Sequence, residues 1–131
     1  MDTTLGPSPG AARHPMHTLQ VVPSDRNWTV SLGEKLLAQS DKTLVLEESG
    51  YNTVVYFPPQ DVRVDSLIES SSLTTCPFKG EANYFAAEIN GKCMDIAWQY
   101  GAVYNEVGPI AGYIAFYADR VQIESESIDE G

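Results

Sequence analysis

The chain predicts an all-β fold, a small single domain of bent antiparallel sheets with one or two short helical turns. Three observations carry this expectation. From His17 onward, turn signals fall about every ten residues between short runs rich in β-branched and aromatic residues. Those runs are short and β-rich, and helical spacing never persists beyond a turn or two. The length, 131 residues, suits one hydrophobic core and leaves little room for a second.

Taken in order, residues 1–16 mix Gly, Pro, Ala and Ser with few apolar side chains, which cannot offset the entropy of ordering, and they read as a flexible leader. Met16 could serve as an alternative start. The runs TLQVV, WTVSL, KLLAQS, TLVLEE and TVVYF follow as strands. Helix has two modest openings, at PPQDVRVDSLIES and around NEVGPIAG. The second half supplies NYFAAEI, KCMDIAWQY, YIAFY and VQI. A β domain over residues 17–123 and an acidic flexible tail over 124–131 complete the division.

Asn90-Gly91 predicts the best-defined hairpin, because this pair tolerates the positive φ angles of a type I′ turn. The two-residue loop sets Ile89 opposite Lys92, Ala87 opposite Met94, Phe85 opposite Ile96 and Asn83 opposite Trp98, all on one face, and this register is expected to hold because a one-residue slip would bury Glu88 and Asp95. Tyr84, Ala86 and Glu88 would share the other face with Ala97, Asp95 and Cys93. Phe85, Met94, Ile96 and Trp98 are then core residues worth roughly 1.5–3 kcal/mol each by burial. Trp98 has a second reading, as the wall of a pocket between sheets with its indole N–H in need of a partner. Tyr100 shares its face.

Charge excludes some functions. Eight basic against 18 acidic residues give a net charge of −10, the wrong sign for a phosphate track, so no nucleic-acid partner is expected. ESESIDEG concentrates part of that charge at the C-terminus. No run of about 18 apolar residues predicts a membrane helix, and the leader lacks the features of a secretory signal. A cytoplasmic location follows as the expectation, with Cys76 and Cys93 as thiols.

The segment TTCPFKGEANYF, residues 74–85, stands apart. Pro77 fixes φ and pushes Cys76 to an extended conformation, so the thiol sits on a bend. Gly80 permits a sharp turn or a close backbone approach to something bound. Lys79 brings a positive charge that could lower a nearby thiol pKa, hold an anion, or simply pair with one of many carboxylates.

Here the chain resembles domain of unknown function 427. The resemblance runs from about Val21 to Ile123 and rests on Pro59-Gln60-Asp61-Val62-Arg63, the T-x-C-P-F-K-G motif from Thr74 to Gly80, Tyr84, Ala97-Trp98-Gln99-Tyr100, and Gly112-Tyr113-Ile114-Ala115-Phe116-Tyr117. The family's central motif often reads Thr-Thr-His-Cys-Pro, and the histidine is missing here, which weakens any reading that needs an imidazole beside the thiol. The resemblance implies a strongly bent all-β fold similar to the β-tent of methionine-R-sulfoxide reductases and the thalidomide-binding domain of cereblon. It implies no established biochemical role.

Three functions remain open on these residues. The first is a non-catalytic module binding a small molecule or a peptide end in an aromatic pocket beside the TCPFKG bend, with Lys79, Gly80, Tyr84, Trp98, Tyr100 and Tyr117 as ligand-binding residues. The second is a thiol enzyme using Cys76, which would need a base; the histidines, His14 and His17, lie at the N-terminal edge, and Lys79 or Glu81 would have to substitute. The third is a protein-interaction module using the acidic tail or a sheet edge. With two cysteines and no CxxC, no metal site and no cofactor are expected.

Overall fold

The structure, a computed structural model, describes residues 5–13 and 16–127. Among these residues a short helix, α1 (Pro9–Arg13), precedes ten strands: β1 (Leu19–Pro23), β2 (Arg26–Leu32), β3 (Lys35–Ser40), β4 (Leu44–Glu48), β5 (Val54–Tyr56), β6 (Ile68–Cys76), β7 (Gly80–Ile89), β8 (Lys92–Val103), β9 (Ile114–Phe116) and β10 (Gln122–Ser127). They form three antiparallel sheets, ordered β1-β4-β5, β10-β2-β3 and β6-β7-β8-β9. The small all-β domain expected from the sequence is what the chain forms. No helix among the described residues is long and apolar enough to cross a membrane.

The four-stranded sheet lies at the centre of the packing because its side chains alternate between two cores. Ile114 and Phe116 join one cluster with Val30, Leu37, Phe57, Phe85 and Ile96, contributed in part by β2 and β3. Ala115, between them, joins a second cluster with Leu46, Tyr56, Tyr100, Val103 and Ile110. Reciprocal backbone hydrogen bonds between Phe57 and Ile114, 2.8 and 2.9 Å, stitch the end of β5 to β9 and so hold two sheets around the second core.

Asn90 and Gly91 take φ values of 52° and 81°, and the hairpin opens in the expected register: Ile89 faces Lys92, Glu88 faces Cys93, Ala87 faces Met94 and Ala86 faces Asp95. Beyond that point the expected pairing fails. Phe85 faces Ala97, Tyr84 faces Trp98 and Asn83 faces Gln99, because the register shifts between Phe85 and Ala86 and leaves Ile96 as an extra residue on β8. A second shift between Glu81 and Ala82 leaves Gly101 unmatched. The first bulge reverses the parity of β8, so Ile96 stays in the core with Phe85 while Trp98 turns to the face of Tyr84 and Tyr100. Met94 and Trp98 are half-buried, whereas Phe85 and Ile96 are buried as expected.

Neither helical opening becomes an α-helix. PPQDVRVDSLIES gives two 3₁₀ turns, Pro59–Asp61 and Val64–Ser66, and then enters β6, an edge strand that alternation alone did not reveal. Its serines and threonines face solvent over much of their length, so no apolar pattern marks it. NEVGPIAG gives a 3₁₀ segment over Asn105–Ile110 that packs Val107 and Ile110 into the second core. At the C-terminus β10 continues to Ser127, past the boundary expected at 123; Glu124 and Glu126 lie opposite Thr29 and Asn27 of β2. At the N-terminus, Leu5 N–H donates to the Val103 carbonyl, Asn105 N–H to Gly6, and Gly10 N–H to Pro77.

Candidate ligand pocket beside the β6–β7 turn

Cys76 pairs with Gly80, and Pro77-Phe78-Lys79 form the turn between β6 and β7. The turn is held from two sides: Gly10 N–H donates to the Pro77 carbonyl at 2.9 Å and Tyr104 N–H to the Lys79 carbonyl at 2.9 Å. Gly80 is buried at φ +135°, and a Cβ there would collide with the Ala102 carbonyl and Val103 Cα of β8. The close approach that this glycine permits is therefore to a neighbouring strand, not to a ligand, and Gly80 does not line the hollow.

Lys79 is the turn's contribution to that hollow. Its Nζ lies 3.0 Å from Glu48 Oε1, while His17 Nε2 lies 2.8 Å from Glu48 Oε2. The Glu48 side chain is only 8% exposed, and each of its carboxylate oxygens has a partner, Lys79 at one and His17 at the other. The His17 ring stacks on Phe78 at 4.1 Å, which ties the entry to β1 onto the same turn.

Next to this pair is a hollow of about 190 Å³ lined by Val54, Tyr56, Lys79, Tyr84, Trp98, Tyr100 and Tyr117. Five of the six residues singled out in the sequence, Lys79, Tyr84, Trp98, Tyr100 and Tyr117, meet here from four different parts of the chain. Trp98 reaches it only because of the bulge at Ile96. Its indole N–H donates to the Tyr56 hydroxyl at 3.2 Å, and the two rings stand edge-to-face, 6.4 Å apart at 90°. Tyr117 lies 4.7 Å from the Trp98 ring, with the Arg120 guanidinium 4.6 Å from its own centroid. The Tyr84 hydroxyl pairs with Thr74 Oγ1 at 2.8 Å.

A second, more apolar hollow of about 410 Å³ adjoins the first and shares Val54, Trp98 and Tyr117 with it; Trp28, Val55, Phe116 and Ile123 are among its other walls. Sequence reasoning missed Tyr56, Trp28 and Glu48. Tyr56 is the fourth residue of the TVVYF run, but only pairing of the neighbouring Phe57 with Ile114 shows that its phenol turns inward. Glu48 carries no signal that would separate it from the 17 other carboxylates.

Burial raises the pKa of Tyr56 and Tyr100 well above the ordinary 10.0, and burial is also the main cause of a smaller rise at Tyr117. Unfolded phenols ionise near pH 10 while these two stay protonated in the fold, so above pH 10 the unfolded state binds fewer protons and stability falls as pH rises. The urea midpoint should drop steadily between about pH 9.5 and 11.5, and Tyr100→Phe should make that decline shallower. An unchanged slope in the variant would show that Tyr100 is not the buried phenol responsible.

Cys76 packs at the edge of the second core, and among the described residues no hydrogen bond reaches its sulfur. Cys93 is exposed at the opposite end of β7, where it faces Glu88. With Cys76 opposite Gly80, the two thiols are separated by about 26 Å of strand at ~3.3 Å per residue. His17 is engaged by Glu48, and His14 lies outside the described residues. Maleimide should therefore label Cys93 first and Cys76 much more slowly in the native protein, as mass spectrometry of a time course would show. Equal rates would contradict the packing of Cys76. Among the described residues no cluster of three or more His, Cys, Asp or Glu is placed to hold a metal ion.

The fold and its hollow thus define a class: a small all-β domain of three antiparallel sheets with an aromatic cavity beside a half-buried lysine–glutamate pair. Within that class the chain belongs to the family described as Domain of unknown function (DUF427), whose model matches residues 20–127. The match ends where β10 ends. No curated protein matches the chain.

Proposed function

We propose that the domain is a non-catalytic module that binds a small molecule or a peptide end in the aromatic pocket beside the TCPFKG bend. One observation carries the reading: Tyr56, Tyr84, Trp98, Tyr100 and Tyr117 converge with Lys79 on one hollow that opens beside a larger apolar one. Ligand sites combine apolar walls with a few placed polar groups. The two free thiols accord with a reducing compartment, and the reading places the domain in the cytoplasm. The net charge of −10 disfavours nucleic acid as a partner.

The thiol-enzyme alternative draws little support from a Cys76 that, among the described residues, has neither a hydrogen-bonded base nor a second cysteine nearby. The protein-interaction alternative has one observation behind it, the edge strand β6, which leaves Ile68 and Leu73 exposed, Leu73 by 77%.

The chain has two tryptophans, Trp28 and Trp98, and both line the larger hollow, so every indole signal reports on the site. A small-molecule library screened by thermal shift and by the indole N–H resonances should yield compounds that move Trp98. Trp98→Ala should fold and lose their stabilising effect. Compounds that stabilise the variant fully, or a library that never moves either indole, would remove the pocket from the function.

A further inference from the structure

The hollow contains an unanswered donor. Tyr100 is only 7% exposed and lines the cavity, yet its hydroxyl has no hydrogen-bond partner among the described residues. The hydroxyl is not sealed from solvent, since Thr43 Oγ1 is the buried side-chain atom left without a partner among the described residues; the Tyr100 O–H is open to the hollow and free to donate there. The Tyr56 hydroxyl accepts from Trp98 Nε1, and its own proton is donated to none of the described residues. Lys79 gives one contact to Glu48 and has three N–H bonds to offer. Three donors therefore face one small space, and both oxygens of the nearest carboxylate, Glu48, are already taken by Lys79 and His17.

A donor-lined chamber selects an acceptor. The chamber has one ammonium, already paired with Glu48, so it offers hydrogen-bond donors more than net charge and is too weakly positive for a phosphate dianion. Its neighbour is an apolar trough with two indoles on its walls. Resting on the pocket reading above, we infer that the ligand is a carboxylate carried on an apolar body: the head held by Tyr56, Tyr100 and Lys79, the ring or chain lying against Trp98, Trp28 and Phe116. A free aryl or aliphatic acid and a peptide chain terminus with an apolar last residue present the same chemistry.

Five probes test this in intrinsic tryptophan fluorescence titrations, with indole N–H shifts as a second readout: 3-phenylpropionate, 3-phenylpropionamide, 3-phenylpropan-1-amine, and N-acetyl-Gly-Phe as its acid and as its amide. The acids should bind at least tenfold more tightly than the matching amides, and the amine should not bind. Tyr100→Phe, which removes one oxygen and leaves the ring, should weaken the acids about tenfold, the scale of one lost hydrogen bond to a charged group. A response confined to the peptide acid assigns a chain terminus, and one that includes 3-phenylpropionate assigns a free acid. Amide or amine binding as tight as the acid, or an acid affinity untouched by Tyr100→Phe, overturns the carboxylate and leaves the pocket standing. Silence from all five overturns the ligand class, and the wider library then decides on the pocket itself.

Discussion

Gly80→Ala should cost the domain most of its stability, about 4 kcal/mol or more, and leave little folded protein at ordinary temperature. Two effects act together at this position. The backbone holds φ +135°, where an L side chain is strained whatever space surrounds it. The added Cβ would also meet backbone atoms of Ala102 and Val103, which no rotamer change can move aside. Relief would require β7 and β8 to separate where the second bulge pairs them, and that would pull Val103 from the second core. Gly91→Ala is the control: its φ is +81°, but a Cβ there meets nothing, so only backbone strain of about 1–2 kcal/mol is expected. Urea unfolding of both variants followed by far-UV circular dichroism gives the ranking. A Gly80→Ala midpoint close to that of Gly91→Ala would refute the steric account.

Lys79→Met should be the second most damaging of these changes. It leaves a largely buried Glu48 with His17 as its remaining partner; removing one member of a fully buried ion pair costs about 3–5 kcal/mol, which is the upper bound for this half-buried one. The loss reflects a stranded carboxylate more than a lost attraction. Accordingly Glu48→Gln in the Lys79→Met background should recover most of it, since an amide carries no charge to strand. Salt should have little effect on the wild-type pair, because neither side chain is more than 19% exposed. A double-mutant cycle from urea midpoints measures the coupling. A double variant as unstable as Lys79→Met alone would show that the damage lies in packing of the turn and not in the pair.

Much of the fold is legible in the residues. Strands appear wherever β-branched and aromatic runs alternate between turn signals, and Asn90-Gly91 specifies its own turn because few other pairs accept two positive φ angles. The motifs around Thr74–Gly80, Ala97–Tyr100 and Gly112–Tyr117 point to the family, and four residues from those motifs meet Tyr84 around one hollow. β6 was illegible for a physical reason: an edge strand with serines and threonines toward water needs no apolar alternation, and its neighbours supply the pairing.

Trp98 shows most clearly where local pattern ends. Period-two counting from the turn assigns it to the face of Phe85 and Ile96, and that counting is correct until the strand takes in one extra residue. Nothing in Asp95-Ile96-Ala97 announces the bulge; it arises because Phe85, Ile96 and Ala97 can all be buried in one core at once. Lys79 and Gly80 make the same point in chemistry. A lysine beside a glycine on a bend suits an anion site, a thiol activator or a structural pair equally well, and only the approach of Glu48 and of the Ala102 carbonyl assigns the two roles.

By itself, then, the sequence determined the all-β class, the central hairpin turn, the family and most of the residues that share the pocket, since these depend on backbone preference and short-range alternation. Tertiary structure alone decided which way Trp98 faces, what Gly80 makes room for, and that Tyr100 is left with a hydroxyl to donate. Each of those depends on contacts between segments far apart in the chain, where packing of one side chain against another outweighs any local preference.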